Sequence, residues 1–456
     1  MADSTSNVKR ARIFYARVDE FARKEDKYKF LDDAGSVSGV EWQELQPDAK
    51  HTWLTEGMRA EFESFLPMGT KEAKASKSVD VESIFKTFSG GMKTNRDNWV
   101  YNYSKQSLIE NIGNITKHYN EHVYRLKAQS TKKLSIDDFV DPDETKISWS
   151  STLKEQLQRE RLAVFTLENC RASLYRPYCK QYFYYDEVLN DRRGLLPNIF
   201  PSTISERENV AICVNVTAEK PFTSLASNVF PNYVMTGGFG SVTQCFPLYT
   251  YTEDGPNRRE NITDWALAQF REQYKDESIS KLDIFHYVYA LLHHPTYRTT
   301  YAANLKRELP RIPFVATRED FCRFVQAGKR LAELHVNYEA QPEYKLEHIE
   351  NPEADLEWRV ERMRLSKDKQ SIVYNDFLTL EGIPPEAFEY RLGNRSALEW
   401  ITDQYQVSTD KRSGITNDPN RADEPDYIVK LIGKVTTVSV ETVKIVRDLP
   451  ALKLSE

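Results

Sequence analysis

The chain has 456 residues, of which 40% are hydrophobic and 12% are aromatic, and its formal net charge is −6. This length is enough for two or three domains, and the composition supports a packed core, so global disorder is not expected. The charge argues against a generally basic protein that coats DNA, but it does not exclude a local basic groove. No apolar run approaches the roughly 20 residues of a membrane-spanning helix, so no membrane partner is expected.

Five cysteines are widely spaced along the chain, at positions 170, 179, 213, 245 and 322. They include no CxxC pair, so the sequence predicts reduced thiols and neither a disulfide framework nor a zinc site. The first residues, Met1 to Asn7, are polar and lack the apolar core of a secretory signal. Together these features predict a cytoplasmic location.

The first half of the chain is predicted to be rich in strands. Residues 12–18 have the pattern of a short strand, and residues 19–31 that of a helix. Residues 36–84 contain several breakers and are predicted to form a loop-rich connector. Apolar positions at helical spacing predict one amphipathic helix over 107–126. Aromatic and β-branched residues favour further strands at 161–166, 181–185, 210–216 and 243–251.

The second half is predicted to be mainly helical. A helix is expected over 261–274, with Thr263 and Asp264 as candidate N-caps. A charged excursion is expected at 340–370, and residues 426–446 begin as a helix but end in a β-branched run that periodicity does not settle. Further helices are predicted at 281–293, 296–307, 318–338 and 384–406. The predicted fold class is therefore α+β, with a mixed β-rich lobe followed by a mainly helical lobe.

The segment FKTFSGGMKTNRDNWVYNY at 85–103 places two glycines and the polar residues Lys93, Asn95, Arg96 and Asn98 between aromatic residues. Gly90 and Gly91 permit a tight turn or a close approach of the backbone to a ligand. The aromatic residues at 99, 101 and 103 alternate as on a half-buried strand. The pattern taken alone predicts a β-hairpin with a polar tip.

The polar residues of this segment have the chemistry of nucleic-acid recognition. Lys93 and Arg96 are donors of the kind that bind phosphate. Asn95 and Asn98 each carry the paired donor and acceptor that can read a base edge.

Five further segments carry a resemblance to a known family. Together with 85–103 they closely resemble the C-terminal target-recognition region of type ISP restriction-modification enzymes. Those enzymes fuse a nuclease, an ATP-driven translocase, an adenine-N6 methyltransferase and a DNA-recognition domain, and they act in phage defence. The resemblance runs in order from about Ile13 to about Leu449. The segments are LYRPYCKQYFYYDEVLNDRR (174–193), TQCFPLYTY (243–251), NITDWAL (261–267), DIFHYVYALLHHPTYRTTYAANLKRELPRIPF (283–314) and LGNRSALEWITDQYQV (392–407).

The resemblance implies an organisation and two partners. Residues 1–35 would be a remnant of the end of a methyltransferase core, residues 36–255 a β-rich target-recognition lobe with a connector, and residues 256–456 a mainly helical lobe of the same region. The partners would be double-stranded DNA and the methyltransferase and translocase part of the same system, fused or separate. The chain could equally be a fragment, a truncated gene product or a separate specificity subunit.

Residue type and position within the family-like segments give the candidate DNA-binding residues. Phosphate contacts position a protein on DNA, whereas contacts to base edges specify the sequence. Candidates for phosphate contact are Lys93, Arg176, Lys180, Arg192, Arg193, Lys411 and Arg412. Candidates for base contact are Asn95, Arg96, Asn98, Asn394 and Arg395.

Motifs for catalysis are weak, so no cofactor and no catalytic residue are expected. An adenine methyltransferase needs a glycine-rich cofactor loop and a Pro-Pro-aromatic motif. The Pro384-Pro385 pair lacks the aromatic residue and predicts a helix start, and the glycine-rich run 236–240 fits a turn better than a cofactor loop. No P-loop is present, and the carboxylates at Asp143 and Glu144 are too close in sequence to hold one metal as nucleases do.

Two alternatives remain open. His118 and His122 flank Glu121 in an HxxEH pattern, and histidines four residues apart on a helix can bind zinc. They lie beside the apolar stripe of the predicted helix, however, and are expected to be solvated. A residual enzyme, either a DNA methyltransferase or a metal-dependent hydrolase at this pair, is one alternative to a recognition module. A protein-interaction domain that does not bind DNA is the other.

Overall fold

The computed structural model describes residues 11–18, 24–47, 51–76, 78, 81–128, 135–216, 220–237, 241–252 and 257–455. The chain divides into two compact units, Met1–Met58 and Arg59–Glu456. The first unit contains an antiparallel pair of short strands, in which Ile13 lies opposite Leu45, and one helix. The strand predicted at 12–18 is confirmed, and the helix predicted next begins at Lys24, with positions 19–23 outside the described residues.

The helices vary from single turns to six turns. The helices are α1 (Lys24–Ala34), α2 (Lys71–Ala75), α3 (Asp97–Val100), α4 (Lys105–Lys127), α5 (Ile136–Phe139), α6 (Ser151–Gln158), α7 (Thr203–Glu208), α8 (Asp264–Tyr274), α9 (Lys281–Leu291), α10 (Pro295–Thr300), α11 (Ala302–Leu305), α12 (Arg318–Val336), α13 (Ala397–Gln404) and α14 (Tyr427–Arg447). Short 3₁₀ turns occur at 37–39, 60–64, 167–169, 196–198, 338–340 and 385–388.

The strands are mostly short and antiparallel. The strands are β1 (Ile13–Tyr15), β2 (Gln43–Leu45), β3 (Leu66–Pro67), β4 (Ser89–Gly90), β5 (Tyr101–Asn102), β6 (Cys170–Arg176), β7 (Cys179–Tyr184), β8 (Ala211–Val216), β9 (Ser224–Ser227), β10 (Phe230–Pro231), β11 (Val242–Pro247), β12 (Tyr249–Tyr251), β13 (Arg258–Glu260), β14 (Arg311–Ile312), β15 (Glu347–Glu350), β16 (Arg364–Leu365), β17 (Ser371–Val373), β18 (Leu378–Glu381), β19 (Arg391–Leu392), β20 (Arg395–Ser396), β21 (Ser408–Thr409) and β22 (Thr416–Asn417). Three four-stranded sheets have the orders β10-β6-β7-β5, β4-β11-β8-β9 and β15-β18-β17-β16.

The central sheet β4-β11-β8-β9 lies between two hydrophobic clusters. Ile212 and Val214 of β8 belong to the cluster that includes α8, α9 and α12, whereas Cys213 between them belongs to the cluster that includes α4, α13 and α14. Successive side chains of a strand point to opposite faces, so this strand is buried on both sides. The sheet therefore forms a rigid floor for the loops that leave its ends.

The long helices follow the predicted spacing. In α4 the Ser104 hydroxyl accepts the Ser107 N–H at the N-terminus, and Leu108, Ile112 and Ile115 are buried along one face. The helices predicted over 261–274, 281–293 and 318–338 are also confirmed, as α8, α9 and α12. The β-branched run at the end of residues 426–446, which periodicity does not assign, is helical and belongs to α14. Its Thr436, Ser439 and Thr442 hydroxyls donate to carbonyls four residues earlier, which satisfies these polar groups inside the core.

Three element predictions are wrong. Residues 161–166 form no strand, because their backbone is held by side chains: Asn120 exchanges two hydrogen bonds with Ala163. The predicted helix over 384–406 is interrupted: a 3₁₀ turn at 385–388 is followed by the ribbon β19–β20, and α-helix begins only at Ala397. Residues 85–103 do not form a hairpin, since β4 pairs with β11 and β5 pairs with β7.

Candidate nucleic-acid interface

Three neighbouring clefts on the second unit share lining residues, and we call their combined lining the recognition surface. The first and second clefts share Asp97, and the second and third share Asp403 and Gln406. The surface brings together residues that lie more than 300 positions apart in the sequence, from Met92 to Asn417. The predicted DNA-binding residues that line it are Lys93, Asn95, Asn98, Asn394 and Arg395.

The first cleft lies around Lys93 and has a volume of about 500 Å³. A Cβ atom on Gly91 would lie 2.4 Å from the carbonyl oxygen of Asn232, so only glycine fits this contact. This close contact is with the protein's own backbone, and the approach of a ligand to the glycine pair stays a prediction. The Lys93 ammonium lies 5.7 Å from the centre of the Tyr233 ring. Main-chain hydrogen bonds of 3.1 and 2.9 Å join Lys93 to the exposed Arg192, so Arg192 borders this cleft.

A buried ion pair fixes the loop that follows Lys93. The Arg96 guanidinium lies 3.0 Å from the Asp191 carboxylate, and their side chains are 0% and 4% exposed. Arg96 also donates to the carbonyls of Ser148 and Leu189 and to the Ser150 hydroxyl. A guanidinium with no exposed surface cannot contact a base edge. This geometry corrects the prediction of Arg96 as a base reader: its role is to hold the loop in place.

Two asparagines project from this fixed loop. Asn95 has φ +55°, the left-handed conformation that asparagine tolerates better than most residues, and its amide donates to Asp191 at 2.5 Å. Asn98 lies in the first turn of α3. Both residues are exposed, so their side chains are accessible on the recognition surface. Their contact with bases stays a prediction.

The second cleft, around Asn98, has a volume of about 240 Å³ and is lined mainly by polar side chains. Asp410 accepts the main-chain N–H and the hydroxyl of Ser413, at 2.9 and 2.8 Å, and these bonds hold the pKa of Asp410 below its usual range. Carboxylates accept hydrogen bonds from base amino groups, and amides both donate and accept. Apart from Asn98, these residues have no signal in the sequence, because they come from four distant segments. The carboxylates and amides are Asp97, Asp403, Asp410, Asn98, Gln181, Gln404, Gln406 and Asn417.

The ribbon β21–β22 carries two predicted phosphate-binding residues at its tip. Lys411 and Arg412 are both exposed there. Gly414 has φ +72°, and its N–H donates to the Asp410 carbonyl at 2.8 Å, which closes the turn. The Arg412 guanidinium lies 3.3 Å from the Glu144 carboxylate. Since residues of both strands line the second cleft, the two cations lie at its edge.

The ribbon β19–β20 carries Asn394 and Arg395 beside the third cleft, whose volume is about 490 Å³. Gly393 has φ +71° in the turn before Asn394, which is exposed. The Arg395 guanidinium donates to Asp403 at 2.5 Å and lies 4.8 Å from the centre of the Trp400 ring. Arg395 must therefore exchange its carboxylate partner before it can bind a phosphate or a base.

Arg176 connects the first and second clefts. Its guanidinium lies 4.0 Å from the centre of the Tyr175 ring and donates to the Asn232 side chain at 3.3 Å. Tyr175 lines the second cleft and Asn232 lines the first. Arg176 is partly exposed, so it borders the recognition surface.

Two predicted cations contact other parts of the protein. Lys180 lies 2.8 Å from the Glu339 carboxylate and 4.7 Å from the centre of the Tyr338 ring. Arg193 lies 2.8 Å from the Glu187 carboxylate. Neither residue lines the three clefts. The structure therefore does not bring Lys180 and Arg193 together with the other candidates.

The two histidines of the HxxEH pattern are not arranged to bind a metal. His122 is 5% exposed, which corrects the prediction that both histidines are solvated. Its Nδ1–H donates to the His118 carbonyl at 2.7 Å, and its Nε2 accepts the Asp141 N–H at 3.1 Å. Both ring nitrogens of His122 thus have protein partners. Across the described residues there is no group of three or more potential metal ligands.

The other candidate motifs have ordinary structural roles where they are described. Pro384 and Pro385 begin a 3₁₀ turn, as predicted. Asp143 accepts hydrogen bonds from the main-chain N–H and the hydroxyl of Thr145. The pKa of Asp143 is lowered to about 2, and the bond from the Thr145 hydroxyl is the largest cause. Of the glycine-rich run 236–240, positions 238–240 lie outside the described residues. All five cysteines are free, and no helix among the described residues is long and apolar enough to cross a membrane.

A sequence model of the type ISP C-terminal specificity domain matches residues 83–431, more than half of the chain. The chain belongs to this family. The resemblance predicted from the sequence is thereby confirmed. A search of curated proteins found no match for this type ISP specificity domain.

Three solved structures, two of them of type ISP enzymes, have the same fold as this specificity domain, which confirms the α+β fold class. A nuclease-deletion mutant of LlaGI in complex with a DNA substrate mimic is 34% identical, with a TM-score of 0.81 over 95% of this chain and 38% of that chain. LlaBIII bound to DNA is 30% identical, with a TM-score of 0.81 over 95% and 27%. The DrdV–DNA complex is 35% identical, with a TM-score of 0.83 over 97% and 44%. The chain thus spans less than half the length of each.

Proposed function

We propose that this specificity domain recognises a defined sequence in double-stranded DNA. It then presents that site to the methyltransferase and translocase parts of the same restriction-modification system, fused or separate. The recognition surface is the observation that carries the proposal, since it joins exposed amides and carboxylates with cations along its edge. The similarity to LlaGI, LlaBIII and DrdV supports it, because those structures contain DNA or a DNA mimic.

The residues of the recognition surface divide by chemistry. Exposed Arg192 beside the first cleft, and Lys411 and Arg412 at the edge of the second, are suited to phosphates, which position the protein without reading sequence. Asn95 and Asn98 lie between these cations and can form bidentate hydrogen bonds with adenine in the major groove. The carboxylates of the second cleft disfavour a phosphate there and suit a cytosine amino group.

We propose that the chain has no catalytic centre of its own and uses no cofactor. The engaged nitrogens of His122 argue against a hydrolase at that pair. Residues 1–35 then correspond to the end of a methyltransferase core, 36–255 to a β-rich recognition lobe with its connector, and 256–456 to a mainly helical lobe. The free cysteines suit the cytoplasm, where the DNA of such a system lies. Calorimetric titration with S-adenosylmethionine should give no saturable heat, and micromolar binding would favour a residual methyltransferase.

Selection from random duplexes, followed by titration, tests DNA recognition. One sequence should be enriched, and binding should weaken steeply with salt because phosphate contacts release counterions. Asn95→Ala or Asn98→Ala should cost about 1–3 kcal/mol on the enriched sequence and little on random DNA. Arg192→Ala should weaken binding to both and lower the salt slope by roughly one unit.

Lys180→Ala is the matched control, because Lys180 is paired with Glu339 and does not line the recognition surface. It should leave affinity and salt slope unchanged. If no sequence is enriched at low salt and the variants bind like the parent, the chain is not a DNA reader. A protein-interaction domain would then be the better explanation.

A further inference from the structure

A cleft of about 580 Å³ with no role in the interface described above lies beside strands β8 and β11 of the central sheet. We call it the Lys74 cleft. Phe88 and Val216 contribute to its apolar floor, and its basic rim consists of Lys71, Lys74, Arg307 and Arg311. An apolar floor beneath several cations is unlike the second cleft of the recognition surface, which is polar and holds three carboxylates.

The charge of the Lys74 cleft is positive. Arg311 is already engaged, since it donates to two main-chain carbonyls and lies 3.7 Å from the carboxylate of Glu308, which also lines the cleft. Glu72 is the other carboxylate of the lining. Glu72 is therefore the one lining carboxylate that Arg311 does not engage, and three cations remain beside it: Lys71, Lys74 and Arg307. Among the described residues the cleft thus has a surplus of two positive charges.

Lys74 is the cation best placed to bind an anion. Its ammonium lies 4.7 Å from the centre of the Phe88 ring, and no carboxylate of the described residues forms an ion pair with it. The side chain is only partly exposed, and burial lowers the pKa of Lys74 below its usual value. An anion in the cleft would offset the loss of hydration around this ammonium.

The Lys74 cleft borders the recognition surface along β11. Gln244 lines the Lys74 cleft, and Val242, two residues earlier on the same face of the strand, lines the first cleft. Two residues of a strand span roughly 7 Å. Val216 of β8, directly opposite Val242, also lines the Lys74 cleft. An elongated anion on the recognition surface could therefore continue into this cleft.

We propose that the Lys74 cleft binds a backbone phosphate of the DNA strand that leaves the recognition surface, just outside the bases that are read. The inference rests on the proposed DNA recognition and names a further contact for it. Lys74 supplies the charge next to the phosphate, and Lys71 and Arg307, which line the same cleft, add to the positive charge around it. The contact positions the duplex and carries no sequence information.

Titration of the selected duplex and of a random duplex with the parent, Lys74→Gln and Lys74→Arg tests the cleft. Lys74→Gln should weaken binding to both duplexes by the same factor, roughly five- to tenfold at low salt, and lower the salt slope by about 0.9. Lys74→Arg keeps the charge and should bind like the parent. Lys329→Ala removes an exposed cation on α12 that lines none of these clefts, and it should change neither quantity.

Methylphosphonate substitution of single phosphates locates the contact. With the parent, one neutralised phosphate outside the selected bases should weaken binding, and with Lys74→Gln that position should lose its effect. If the parent selects and binds a sequence while Lys74→Gln keeps its affinity, salt slope and methylphosphonate profile, the cleft holds no phosphate and DNA recognition stands. If the parent binds no duplex, both proposals fail together.

Discussion

Asp191→Asn should destabilise the fold strongly, because it removes the charge that compensates the buried Arg96 guanidinium. The substitution keeps the shape of the side chain, so little cavity is created. In the folded protein Asp191 receives bonds from Arg96 at 3.0 Å, the Ser150 hydroxyl at 2.7 Å and the Asn95 amide at 2.5 Å. An asparagine offers one acceptor oxygen where the carboxylate offers two, so at least one of these donors loses its partner.

The expected loss is about 3–5 kcal/mol, the usual cost of leaving one member of a buried ion pair uncompensated. Side-chain exposures of 0% and 4% justify this value rather than the ~0–1 kcal/mol of a surface pair. Arg412 and Glu144, 72% and 42% exposed, supply that surface pair as a control. Glu144→Gln should therefore change the free energy of unfolding by less than about 1 kcal/mol.

Urea denaturation followed by circular dichroism measures both variants against the parent. The double variant Arg96→Met, Asp191→Leu should lose less than the sum of its single variants, because it leaves no buried charge. A loss below about 1 kcal/mol for Asp191→Asn would refute the reasoning. It would mean that water reaches Arg96 and that the loop bearing Asn95 is not held by this pair.

Two further predictions concern buried histidine and the glycine contact. Burial lowers the pKa of His335 to about 3, so the unfolded chain takes up this proton first and stability is lost as pH falls from about 6.5 towards 3. His335→Gln should flatten a plot of unfolding free energy against pH, whereas His348→Gln, at an exposed position, should not. Gly91→Ala should lower the melting temperature, because its Cβ would lie 2.4 Å from a carbonyl oxygen. Gly113→Ala, in α4 with open space around the new methyl group, should raise stability by about 0.5–1 kcal/mol, and calorimetry compares the two.

The long helices could be predicted because their signals are local. Helix α12 has apolar residues at helical spacing and a Thr317 hydroxyl that accepts an N–H three residues later, and both are visible in the sequence. The hairpin predicted over 85–103 is wrong because the two strands in this segment pair with strands about 80 and 155 positions away. Residue type suggests the polar residues there, but both Arg96 and Asn95 bind Asp191. Only the burial seen in the structure distinguishes Arg96, which holds the loop, from Asn95, which is exposed on it.

Apart from Asn98, the residues of the second cleft could not be predicted from the sequence. Its carboxylates and amides come from α3, β7, the end of α13 and the ribbon β21–β22. None of these residues has a local pattern that distinguishes it from an ordinary polar surface residue. Only the pairing of distant strands, which depends on long-range packing, brings them to one cleft.

The exposed residues at the loop tips are separate from the buried frame that holds the loops, which includes the Arg96–Asp191 pair and the Gly91 contact. This separation has a consequence for how such a domain can change its target DNA sequence. Asn98 and Asn394 are exposed, and neither side chain is part of the hydrophobic core. Substitutions at positions of this kind usually alter stability by no more than about 0.5 kcal/mol. Substitutions in the frame beneath Asn95, which the Arg96–Asp191 pair and the Gly91 contact hold in place, cost far more stability. New DNA-sequence preferences can therefore arise when single exposed residues are exchanged in a fold that stays intact. Substitutions of the buried residues beneath them instead cause misfolding, so they do not yield a domain with a new preference.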